Sequence, residues 1–87
     1  MSPYQEIMSE FAKTGLTANS HLSKAEVTQA VNRLSNANCN CPIFDSEIAQ
    51  QLWEYTTKSP GGTVLLKDYI QTIIDARNIL TKNILKN

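Results

Sequence analysis

The stretch Thr57-Lys58-Ser59-Pro60-Gly61-Gly62-Thr63-Val64-Leu65-Leu66-Lys67-Asp68 shares its layout with Gly15-Leu16-Thr17-Ala18-Asn19-Ser20-His21-Leu22-Ser23-Lys24-Ala25-Glu26, 42 positions earlier. Each opens in a polar, helix-averse loop, passes a short segment with an apolar centre, and reaches an acid that starts a helix. The short segments are His21-Leu22-Ser23 and Thr63-Val64-Leu65. Each lies between helical patterns and can lend backbone to a minimal antiparallel pairing.

Working outward, the flanks read as four amphipathic helices. In the first, Ser2 caps, Pro3 takes the first helical position and Gln5 completes a capping box. Tyr4, Ile7, Met8 and Phe11 recur at helical spacing, with Glu6, Glu10 and Lys13 outward. Gly15 is a left-handed stop. The second helix starts with the capping box Ser23-x-x-Glu26 and aligns Val27, Ala30, Val31 and Leu34. A polar linker holding Cys39 and Cys41 follows, to about residue 44. Asp45 caps a third helix carrying Ile48, Ala49, Leu52 and Trp53, which Ser59-Pro60-Gly61-Gly62 breaks. The fourth carries Leu66, Tyr69, Ile70, Ile73 and Ile74, then Ile79, Leu80, Ile84 and Leu85. This last apolar stretch, Ile79–Leu85, exceeds what a small lobe needs and is expected to be partly exposed. The fold class is all-α: one domain over 1–87, with helix-loop-helix units at about 3–35 and 45–85 joined by a linker at about 36–44.

Composition excludes several function classes. The 87 residues are 41% hydrophobic and 18% charged, as expected of one small globular domain. Eight basic residues balance eight acidic ones, so no electrostatic footprint for nucleic acid exists. No apolar run suits a membrane span, no signal-peptide core opens the chain, and Met1-Ser2-Pro3 does not fit myristoylation. The expected location is cytoplasmic. Cys39 and Cys41, one residue apart, are read as free thiols rather than a strained bridge or a zinc site.

The paired segments resemble an EF-hand pair. Laid on the twelve-residue calcium loop, Leu22 and Val64 both fall at position 8, the apolar residue that bridges paired loops. Glu26 and Asp68 fall at position 12, and Gly62 falls at the turn position 6. The resemblance implies a four-helix lobe in which Leu22 and Val64 form an antiparallel bridge. The ligand set has been replaced: one loop offers Gly15, Thr17, Asn19 and Glu26, the other Thr57, Ser59, Gly61 and Asp68. One carboxylate per loop is too little to dehydrate calcium at cytosolic concentrations, so no metal and no cofactor are expected. Glu26 and Asp68 also serve simply as acids favoured at helix starts.

No catalytic constellation stands out. His21 reads as a loop residue and Gly61-Gly62 as a turn rather than a phosphate loop. The chain thus resembles a metal-free, calmodulin-like single lobe such as a small myosin light chain. That resemblance implies a calcium-independent interaction module for an amphipathic helix of a larger partner, such as a myosin heavy chain. Candidate partner-binding residues are Phe11, Leu34, Leu52, Trp53, Ile70 and Ile74. Alternatives are a structural or regulatory EF-hand-like domain or dimerisation piece, and an acyl carrier-type protein with Asp45-Ser46 opening its helix.

Overall fold

The computed structural model describes the backbone of residues 2–37 and 46–86, and the side chains of 2–34 and 47–78. Four helices and two short strands follow in the order α1 (Pro3–Ala12), β1 (His21–Leu22), α2 (Lys24–Ala37), α3 (Ser46–Tyr55), β2 (Val64–Leu65) and α4 (Leu66–Lys86). Among the described residues, no helix is long and apolar enough to cross a membrane.

The caps follow the local chemistry. Ser2 Oγ accepts from the Gln5 amide at 3.2 Å, with Pro3 next in the first turn. The second box is reciprocal: Glu26 N donates to Ser23 Oγ at 3.2 Å, and Ser23 N donates to Glu26 Oε1 at 3.0 Å. Two amides that a helix start leaves without partners are thereby satisfied. After α1 the chain passes Lys13 and Thr14 into Gly15, whose φ of 86° is the left-handed turn expected of a glycine stop.

α1 packs on α4, α2 on α3, and α3 also on α4. The core lies between these pairs and takes Ile7 and Phe11 from α1, then Val27, Ala30, Val31 and Leu34 from α2. Ala49 and Leu52 join from α3, and Leu66, Tyr69, Ile70 and Ile73 from α4. Phe11 and Tyr69 meet edge to face, centroids 6.1 Å apart. Tyr69 Oη donates to the Ala49 carbonyl at 3.1 Å, and burial pushes its phenol well above the ordinary value. Thr56, the buried polar residue, lies 2.7 Å from the Leu52 carbonyl and 2.9 Å from the Thr72 hydroxyl, joining α3 to α4.

The strands pair antiparallel, with His21 opposite Leu65 and Leu22 opposite Val64. Both central side chains are buried between the helices. The linker with Cys39 and Cys41 and the cap at Asp45 lie outside the described residues. So do the side chains of Ile79, Leu80, Ile84 and Leu85, although α4 itself continues to Lys86.

Candidate functional site

The two loops meet back to back through the strand pair. Each contains a tight turn at the same place. Ser20 N donates to the Thr17 carbonyl at 3.0 Å, and Gly62 N to the Ser59 carbonyl at 2.8 Å. The first turn is closed by a serine, whose Oγ also accepts from Thr17 N at 2.9 Å. The second is closed by Gly62 at φ 82°. Beyond the strands, Leu66 N donates to the Ser20 carbonyl and Lys67 N to the Ala18 carbonyl, both at 3.0 Å. The first loop thereby accepts the free amides at the start of α4. His21 Nδ1 and Thr63 Oγ1, 3.3 Å apart, add a side-chain link on the exposed side.

Each loop brings one carboxylate to its twelve positions, Glu26 in the first and Asp68 in the second. Gly15, Thr17, Asn19, Thr57 and Gly61 are exposed, while Ser59 and Asp68 are half-buried. The Glu26 carboxylate is turned back to its own helix, where hydrogen bonds from the Ser23 amide and then its hydroxyl hold its pKa below the usual carboxylate value. In the second loop the Thr63 carbonyl, at the position where the calcium loop uses a backbone oxygen, accepts from Ser59 N at 2.7 Å. No group of three or more His, Cys, Asp or Glu side chains that could hold a metal ion occurs among the described residues.

The candidate partner-binding residues divide. Phe11, Leu34, Leu52 and Ile70 are buried in the core of this structure. An apolar stripe at helical spacing has the same sequence pattern whether it faces a groove or a neighbouring helix, and here the helix pairs close on one another. Trp53 and Ile74 are half-buried against that core, as are Tyr4 and Met8. Ile48 and Tyr55, two turns apart on α3, are exposed, Tyr55 to 82%.

At the junction of α3 and the second loop, sequence reasoning missed Lys58 and the hydrogen bond made by Trp53, a residue it names only as an apolar partner-binding candidate. Trp53 Nε1 donates to the Leu22 carbonyl at 3.1 Å, tying α3 to the strand pair. Lys58 folds back onto the end of α3, with its Nζ 2.7 Å from the Trp53 carbonyl. The signal for Lys58 is a cation placed just after a helix end, where carbonyls lack partners. Trp53 has no local signal, because its acceptor lies 31 residues away. At the surface, Lys24 Nζ meets Glu54 Oε1 at 2.6 Å, and this bond with its charge lowers the Glu54 pKa.

Comparison with protein-family models, with curated proteins and with solved structures finds no match.

Proposed function

We propose that the chain is a calcium-independent protein-interaction lobe of EF-hand-like build, a light-chain-like subunit that receives an amphipathic helix of a larger partner. The supporting observation is the pairing of Leu22 with Val64 between two loops that spend their oxygen and amide groups on each other. A lobe held this way has no need of a metal to set its shape. Tyr4, Met8, Trp53 and Ile74, each half-buried against the core, supply apolar surface at which such a helix would begin to insert. The chain works without catalysis and in the cytoplasm on this reading.

The burial of Phe11, Leu34, Leu52 and Ile70 favours a second reading, a closed structural or regulatory piece of a larger assembly. One experiment separates the two. The tagged chain is used to capture partners from native extract, with calcium and with chelator, beside Met8→Ala and Ile74→Ala variants that remain folded by circular dichroism. The helix-receiving reading expects equal capture with and without calcium and reduced capture by the variants. Full capture by every folded variant, or binding mapped to residues 79–85, favours the second reading. Intact mass of native protein, with or without a prosthetic arm on Ser46, tests the carrier alternative.

A further inference from the structure

α3 ends with carbonyls that lack a following full turn of helix, the Trp53 carbonyl taking a 3.2 Å bond from Thr56 N. Lys58 meets them. Its Nζ lies 2.7 Å from the Trp53 carbonyl, 2.9 Å from that of Glu54 and 2.7 Å from that of Thr56. An ammonium has three N–H donors, and the three oxygens take all of them. The charge sits at the negative end of the helix, where a cation is favoured. The same nitrogen stands 4.4 Å from the centroid of the Trp53 ring, within reach of its negative face. Trp53 in turn donates its indole N–H to Leu22, the bridging residue of β1. A continuous path therefore runs from one ammonium, through one indole, to the strand pair.

We propose that Lys58 is a charge-dependent clasp at the end of α3 that holds Trp53 against β1. Because the clasp depends on charge and on three donors together, neutralising the amine releases the indole and loosens the junction of α3 with the strands. Lys58 is exposed by area, yet its nitrogen is chemically occupied. Exposure and reactivity part company here.

Reactivity gives a test on the unmodified full chain. Trace labelling with acetic anhydride, read peptide by peptide against the urea-unfolded chain, ranks the lysine amines. Lys58 is expected to react about tenfold more slowly than Lys67 once folded, the least that hydrogen bonds to a charged group imply. Equal rates would overturn the clasp. The second arm follows the indole N–H resonance and the emission of Trp53 in Lys58→Met, which keeps the stem and removes the charge, and in Lys58→Arg, which keeps the charge. The Met variant is expected to move the resonance and shift emission to the red, with partial retention in the Arg variant. A folded Met variant with an unmoved Trp53 also overturns the proposal. Should that variant fail to fold, the labelling result on the natural chain decides alone.

Discussion

The two loops reach the same end by different backbone routes. Both make a turn 42 positions apart, both deliver a buried aliphatic residue to the bridge, and both run into a helix. The first takes its left-handed residue at Gly15, before the turn, and closes the turn with the Ser20 side chain. The second takes it inside the turn, at Gly62. The first caps its following helix with the Ser23–Glu26 box, whereas the second begins α4 on carbonyls borrowed from the first loop. What is duplicated is the outcome, a centred strand pair with a helix after each strand. The means differ, so the first loop is self-sufficient and the second leans on it.

Breaking the shared outcome should cost most. Leu22→Ala is expected to lose about 2–5 kcal/mol and Val64→Ala about 1–3 kcal/mol in urea unfolding, since both are fully buried. A loss below about 0.5 kcal/mol for either would mean that the bridge is not part of the core.

The backbone routes come next. A methyl group at Gly62 or Gly15 meets no atom within 4 Å, so only the positive φ opposes it. Gly62→Ala and Gly15→Ala should each cost about 1–2 kcal/mol. Gly61→Ala, equally uncrowded and without positive φ, should be neutral or stabilise by up to about 1 kcal/mol. Equal effects at Gly61 and Gly62 would contradict the assigned turn.

The capping box sharpens the asymmetry. Ser23→Ala should cost about 1 kcal/mol and loosen Ser23–Val27 in amide exchange, leaving the start of α4 protected. The Glu26 carboxyl has its pKa depressed on folding, below its ordinary 4.5. Its contribution is therefore present above pH 4.5 and is lost as pH falls through the lower folded value. Chemical shifts of the Ser23 amide followed over acid pH should show this step, and Glu26→Gln should remove it.

Calcium is expected to do least. Trp53 emission and the amide shifts of Gly61 and Gly62 should stay flat up to about millimolar calcium. Saturable shifts at micromolar calcium would refute the reading that both loops spend their oxygens internally.

Much of this frame is legible in the residues because its causes are local. Ser2, Pro3, Gly15 and the Ser23–Glu26 box act within a few positions, and helical spacing marks Ile7, Phe11, Val27 and Ile70 as apolar-facing. The Leu22–Val64 pairing was readable only because two local patterns recur at matching offsets. The junction was not readable, since Trp53 and Lys58 act through contacts that depend on how helices and strands pack. Nor could spacing tell the closed core from an open groove at Phe11, Leu34, Leu52 and Ile70.

Each strand has only two residues, and its partner lies across the chain's midpoint. Neither half contains a complete version of the bridge, so neither is expected to be a folding unit by itself. Cutting the chain between residues 38 and 45 would turn an intramolecular closure into a bimolecular one. The two fragments should then fold only on mixing, with a midpoint that rises with concentration. Two fragments that each fold alone, at a concentration-independent midpoint, would show that the strand pair joins finished units. The stretch of chain between Leu22 and Val64 would then set an entropy of docking and not of folding.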